Sequence, residues 1–350
     1  MTVPVTPSIS VVICVFTEKR WDDILAAVSS VRAQRHQPYE IIVSVDHNPE
    51  LFGRLRHALP DVVVIENQEG RGLSGGKNTG AARAGGDVVA YLDDDAVADR
   101  DWLTVFAAGY ADQKVMAVGG RTLSLWPGSP TAREIHQDQA GLLREHTEVG
   151  RRPRWFPEEF DWTVGGTYRG MVAGPVRNVL GGNASFRREA FEITGGFHSG
   201  IGRTHHKNRP LGCEETEFCI RLGQRSPGAV MLFDDRAVIW HRVPAERARF
   251  RYFRTRCFAE GLSKALVAQS VGSGDGLANE RAHALRTLPR GAVRGVGDTF
   301  RGDPAGLGRA GAITIGLGYT AWGYAVGTVS ARRAGAAGHA RAGARTGDTA

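Results

Sequence analysis

Cysteine is scarce in this chain. The four present among 350 residues, Cys14, Cys213, Cys219 and Cys257, form no Cys-x-x-Cys pair, which argues against a disulfide framework and points to a reducing compartment. Met1 to Ser10 lacks a basic cluster followed by an apolar core, so no cleaved secretory signal is expected and the expected location is cytoplasmic. Zinc-finger spacing and an aromatic-rich single-strand-binding pattern are both missing, and nucleic acid is therefore not an expected partner. The glycine-rich stretch Leu73 to Ala84 is neither a Walker loop nor a Gly-x-Gly-x-x-Gly fingerprint. What remains is an ordinary globular composition, 42% hydrophobic and 23% charged, long enough for one large α/β domain and an appendage.

The most informative feature present is Asp93-Asp94-Asp95, which follows the apolar run Asp87 to Leu92. A strand that ends in carboxylates puts them at the carboxyl edge of a sheet, where open α/β folds bind ligands. Acids at i and i+2 can converge on one hard divalent cation, Mg²⁺ or Mn²⁺, which keeps its other positions for water and phosphate. The implied substrate is a diphosphate; the plainer alternative is a solvated acidic turn.

Strand and helix signals alternate through the first 120 residues. Ile9 to Phe16, Tyr39 to Asp46, Val62 to Ile65 and Asp87 to Leu92 read as strands, and Trp21, Ile24, Leu25, Val28 and Val31 recur at helical spacing. That order predicts a Rossmann-like, mainly parallel sheet flanked by helices. Leu73 to Ala84 reads as a glycine-rich loop opening a helix, with backbone N–H groups available to a phosphate and Lys77 or Arg83 to neutralise it. Residues 121–179 are irregular and interrupted by prolines, with Trp126, Trp155 and Trp162 able to stack on sugar rings or fill the core. Order returns at Arg177 to Phe186, and Gly212 to Leu222 reads as a helical segment with acids in its first turn, where the helix dipole favours them. Val230 to Phe233 and Ala237 to Trp240 read as two short strands leading to His241.

The tail differs in charge. Residues 242–350 hold 17 Lys and Arg against 7 Asp and Glu, so the whole surplus of the +7 chain lies there. Arg247 to Gln269 predicts a basic helix that buries Phe250, Phe253, Cys257 and Leu262. Ala310 to Ala331 carries no charge and is long enough to span a bilayer, but five glycines, three threonines and a serine dilute it. A span, an interfacial segment anchored by Tyr319, Trp322 and Tyr324, and a buried helix all stay open. Arg333 to Ala350 has no large apolar residue and is expected to be disordered.

Together these pieces resemble the inverting family-2 glycosyltransferases of the GT-A fold, over about residues 8–245. The resemblance implies a catalytic domain over 1–245 and a basic helical extension over 246–350, to which no family role carries over. It places Phe16, Thr17 and Glu18 where the first strand opens the nucleotide site, and Asp46 where an acid contacts the base. Lys77 and Asn78 match the glycine-rich helix start, Gly181-Gly182-Asn183 the acceptor-side loop, and Asp93-Asp94-Asp95 the Asp-x-Asp metal motif. The implied metal ligands are Asp93, Asp95 and His241, for Mn²⁺ or Mg²⁺, with Asp93 and Asp94 also at the donor. Where the family usually has Glu-Asp, this chain has Glu214-Glu215; the implied base is Glu215, with Glu214 as the alternative.

The implied reaction moves a sugar from a nucleoside-diphosphate sugar, with UDP or dTDP favoured, to a glycan, lipid-linked or small-molecule acceptor. Glu215 would serve as base if burial and its acidic neighbours raise its pKa. The basic tail suits an anionic membrane surface at the inner face of the cell membrane, or else an arm for a homodimer. Two other classes compete. A nucleotidyltransferase needs a glycine-rich loop after the first strand, and Thr17-Glu18-Lys19-Arg20 contains no glycine. A non-catalytic sugar- or lipid-binding protein is expected to lack either the metal acids or the base, and both are present.

Overall fold

The computed structural model describes residues 6–130, 134, 149–203 and 211–345, with the side chains of 278–279 and 331–345 left undescribed. Alternating apolar residues build the centre. In β1 (Ile9–Val15), Ile9, Val11, Ile13 and Val15 face one core cluster with α1 (Trp21–Arg32), while Val12 faces a second cluster on the other side of the sheet. That alternation is what a strand covered on both faces requires. β2 (Glu40–Val45), α2 (Pro49–Ala58), β3 (Val63–Glu66), α3 (Leu73–Arg83) and β4 (Val88–Asp93) complete a parallel half with strand order β3-β2-β1-β4.

The other half is mixed. After β5 (Ala96–Ala98), α4 (Trp102–Gly109) and β6 (Val115–Leu125) come β7 (Gly174–Val176), β8 (Asn183–Arg187), α5 (Arg188–Thr194), α6 (Glu214–Arg225) and β9 (Val230–Arg242). The order continues from β4 as β8-β6-β9-β5, with β7 beside β9. β8 runs antiparallel to both β4 and β6, whereas β6 and β9 are parallel. Two expected strands at 230–240 are one: β9 continues through Asp234 to Arg236, and the register shift this requires falls opposite Gly120 and Arg121.

α3 corrects the expected phosphate loop. The whole stretch from Leu73 to Arg83 is helical, and its glycines let it lie close to its neighbours: a Cβ on Gly80 would sit 2.4 Å from Val12 Cγ1 in β1, and one on Gly75 would sit 2.1 Å from the Gly70 carbonyl oxygen in the loop before the helix.

Beyond β9 the chain turns into α7 (Phe250–Val271), α8 (Leu288–Phe300) and α9 (Ala305–Arg345). Phe253, Cys257 and Ile313 share a core cluster with Trp126, Phe156 and Phe160, so this extension packs on the irregular 150–165 segment. Phe250 is 37% exposed rather than buried, because it sits at the start of α7 against the ring of Trp155. The backbone of α9 stays helical through Arg345 where disorder was expected, as its alanines and arginines favour. The rest of that segment, 346–350, lies outside the described residues, as do 131–133 and 135–148 of the irregular region. No helix among the described residues is long and apolar enough to cross a membrane.

Candidate active site

Backbone pairing assembles the acidic cluster. β4 lies beside β1 with Asp93 opposite Cys14, and the backbone N–H of Asp93 donates to the Gly182 carbonyl (3.4 Å). β5 then pairs antiparallel with β9, placing Ala96 opposite His241, and the Arg242 N–H donates to the Asp95 carbonyl (2.8 Å). The result is a cluster in which His241 Nε2 stands 3.1 Å from Asp95 Oδ1 and 3.8 Å from Asp93 Oδ2. One ligand atom from each of the three lies within 4.8 Å of the others.

Two observations make this cluster fit a divalent cation. Asp95 Oδ1 and His241 Nε2 face one another at 3.1 Å in a buried position with Asp93 Oδ2 3.8 Å from the imidazole, and two carboxylates with one imidazole are ligands that first-row divalent cations take. Burial pushes the Asp95 carboxyl up, but His241, Arg20 and Arg247 outweigh it and hold the group well below the usual range. Asp94 ends differently: burial, with Asp95 and Asp93 adding to it, raises its pKa to about 7 despite Arg20. Arg20 pairs with Asp94 and reaches Asp95 Oδ2 at 3.1 Å. The sequence reading missed Arg20 as a site residue; its signal was its position five residues beyond the strand that neighbours β4.

The second group lies at the start of α6. Lys77 Nζ, carried by α3 and buried, contacts Glu215 Oε1 at 2.5 Å and Glu214 Oε1 at 3.2 Å. Burial raises Glu214 to about 7, helped by its charged neighbour Glu215. On Glu215 burial pushes upward too, yet Lys77 and the hydrogen bond from Glu214 hold it below its ordinary value. The raised pKa expected at Glu215 therefore belongs to Glu214. Glu215 is the more open side chain, 12% exposed against 3%. It is also the one that Gly181 admits, since a Cβ there would lie 1.4 Å from Glu215 Oε1. Gly182 similarly leaves room for Asp93.

The acids of both groups, Asp93, Asp94, Asp95, Glu214 and Glu215, line one cleft of about 200 Å³, together with Phe16, Asp46 and Gly182. Other expected site residues have different surroundings. Lys77 faces the glutamate pair rather than an open phosphate position. Asn78 donates to the Phe197 carbonyl and accepts from its N–H, fixing the Gly195-Gly196 turn. Asn183, expected on the acceptor side with its two glycines, is fully buried: it accepts from Trp102 Nε1 (2.7 Å) and donates to the Arg121 and Ala237 carbonyls. Thr17 accepts from the Lys19 N–H at a helical turn, and Glu18 begins that turn. Asp46 accepts from Asn67 Nδ2 (2.8 Å) and from the Gly72 N–H, and contacts His47 Nδ1 at 2.9 Å. Of the three tryptophans, Trp126 is core, Trp155 packs on Phe253, and Trp162 lines the cleft.

Residues 10–194 match the model described as Glycosyl transferase family 2. A protein of Haloferax volcanii named glucosyl-dolichyl phosphate glucuronosyltransferase is 33% identical over 265 residues, 74% of this chain and 77% of the relative. The succinoglycan biosynthesis protein ExoM of Rhizobium meliloti is 24% identical over 288 residues, covering 80% and 78%. Among solved structures, the mannosyltransferase PcManGT from Pyrobaculum calidifontis, in complex with GDP-Man and Mn²⁺, matches with a TM-score of 0.52 and 18% identity over 90% of this chain and 87% of that one, a likeness of fold. The class is thus an α/β glycosyltransferase of GT-A fold. The chain belongs to glycosyltransferase family 2.

Proposed function

We propose that the protein transfers a sugar, with inversion, from a nucleoside-diphosphate sugar to a hydroxyl of a lipid-linked or other envelope glycan, with a small-molecule acceptor as the alternative. The observation that carries this reading is that Asp93 and Asp95, which converge with His241, line the same cleft as Glu215. The Haloferax relative, by its name, acts on a glucosyl-dolichyl phosphate, which supports the lipid-linked acceptor.

Asp93, as the acid of an Asp-x-Asp motif, would hold the metal with Asp95 and His241. The imidazole favours Mn²⁺ over Mg²⁺, which prefers an all-oxygen shell. When bound, the cation supplies charge neutralisation for the departing diphosphate. Asp46, at the nucleotide end, suits a base with an imide N–H, which uracil and thymine carry and which makes UDP or dTDP the favoured carrier. Glu215, kept ionised by Lys77, takes the proton of the acceptor hydroxyl. The freed oxygen bonds to the anomeric carbon as the bond from that carbon to the diphosphate oxygen breaks, and the electron pair leaves with the diphosphate. Gly181 keeps the approach to Glu215 open, and Glu214 retains its proton and holds Lys77 in place. The test is release of nucleoside diphosphate from a nucleotide-sugar panel with Mn²⁺; no release with any donor sinks the reading.

The acceptor also bears on where the enzyme works. α8 and α9 expose Val293, Val296, Phe300, Leu307, Ile315 and Trp322, with Phe300 88% exposed, and Arg286, Arg290 and Arg301 lie on or beside α8. An apolar face among arginines suits an anionic bilayer surface, where a lipid-linked acceptor resides. A homodimer through the same face is the alternative outcome.

A further inference from the structure

Two backbone segments flank Glu215, and the C-terminal extension holds both of them. The first is the entry to its own helix α6 through Gly212 and Cys213, where Cys213 has a left-handed φ of 72°, a conformation that residues with side chains keep only where their surroundings fix it. α7 supplies that fixing. The Gly212 N–H donates to Ser263 Oγ (3.1 Å), and the Cys213 thiol donates to Glu260 Oε1 (3.2 Å). The second segment is 177–183, in which Gly181 admits the Glu215 side chain. Arg177 at its start makes a bidentate pair with Glu280 (2.8 and 2.9 Å), which lies in the short helix Ala278–Ala282 between α7 and α8. Lys264 on α7 joins the two anchors, with Nζ 2.6 Å from Glu280 Oε1 and 3.5 Å from Glu260 Oε1. Asn178 ties the segments to each other by donating to Thr216 Oγ1 (3.3 Å).

We propose that Glu260 and Glu280 are positioning residues for glycosyl transfer: through Cys213 and Arg177 they fix the two walls between which the Glu215 carboxylate is aimed, which rests on Glu215 being the base proposed above. Neither Glu260 nor Glu280 lines the cleft, so each acts through the residue it holds. A base set slightly out of line with the acceptor hydroxyl loses rate without losing donor affinity. The anchors also keep their charge. Burial pushes both carboxyls up, but Arg256 and Lys264 hold Glu260 below its ordinary value, and Arg177 and Lys264 bring Glu280 down to about 2. Fastening the extension to the catalytic half is the plainer role for such a network. That role does not require its ends to fall on the two segments beside one carboxylate, as they do here.

The test uses the full chain. Glu280→Gln and Cys213→Ala each remove one anchor, and Cys213→Ser restores a donor. Amide hydrogen exchange read by mass spectrometry needs no turnover: Glu280→Gln should speed exchange over 177–183 and Cys213→Ala over 212–218, with β1 to β4 exchanging as in the parent. In steady-state kinetics both variants should lose about tenfold or more in kcat at unchanged KM for the donor, and Cys213→Ser should recover most of the loss. Combination with Glu215→Gln separates positioning from general loosening. An anchor that acts through Glu215 costs little more once Glu215 is replaced, whereas losses that multiply in the double variant overturn the proposal. Unchanged exchange in both segments overturns it as well. Arg177→Lys, which keeps the charge but not the fork, takes the place of Glu280→Gln should that variant fold poorly. Undiminished kcat in Glu215→Gln alone would refute the base, and exchange would still decide whether the extension holds the two segments.

Discussion

Glu214 and Glu215 are adjacent in sequence and opposite in proton affinity, and Lys77 divides them. Glu215 accepts the closer contact and is held ionised, while the more deeply buried Glu214 keeps its proton up to about 7. Glu215→Gln preserves size but cannot take a proton, so kcat should fall by roughly 10²–10⁴ with donor affinity nearly unchanged. A larger loss in Glu214→Gln than in Glu215→Gln would exchange the two roles. Stability gives a separate check. Above its ordinary value of 4.5 an unfolded Glu214 ionises while the folded one stays protonated up to about 7, so this group's contribution falls as pH rises through that window. Glu215 has the opposite sign: its contribution is present above 4.5 and is lost as pH falls through its lowered value. Melting curves should show Glu214→Gln gaining on the parent between pH 5 and about 7; a constant gap contradicts the raised pKa. The acidic pair was legible in the sequence. Its division was not, because the cation responsible lies 137 positions away in the chain.

Helix α3 shows what glycines do at the scale of an element. A glycine-rich stretch after a strand reads as a phosphate loop, but whether glycine frees the backbone or admits a neighbour depends on what packs there, and β1 packs on α3. Gly80→Ala should destabilise by about 1–3 kcal/mol in chemical denaturation, because its Cβ would meet Val12. Gly53→Ala in α2, with nothing within 4 Å, should instead be neutral or gain up to about 1 kcal/mol. Equal effects at the two sites would contradict the packing argument. The glycines of α9 act similarly. Added Cβ atoms at Gly316 and Gly323 would strike Phe160 and the Phe258 carbonyl, so the residues that weaken the 310–331 run as a membrane span allow it to cross α7 closely. β1 to β4 were legible because each is a continuous apolar run. The three-residue β5, which brings His241 to Asp95, left no pattern to read.

Across the whole molecule, the basic tail folds back as helices onto the catalytic half, burying Phe253 and Cys257 with Trp126 and Phe156. Truncating it would uncover that core, so surface substitutions probe the membrane proposal more cleanly. Val293→Ser, Phe300→Ser and Trp322→Ser together should abolish flotation with anionic liposomes, and salt should weaken flotation of the parent. Flotation that survives the triple substitution contradicts a bilayer contact, and a parent dimer that these changes convert to monomer would assign the face to a second copy. The charge asymmetry was visible in the sequence, but the face it surrounds required the helix packing. The central claim, that the Asp93, Asp95 and His241 cluster with Glu215 performs metal-assisted glycosyl transfer, is tested most directly by nucleoside diphosphate release. The parent should release it from a nucleotide-sugar with Mn²⁺ and stop in chelator, and Asp95→Ala should stay folded and release none. Full activity of the parent in chelator, or undiminished release by Asp95→Ala, would contradict the account.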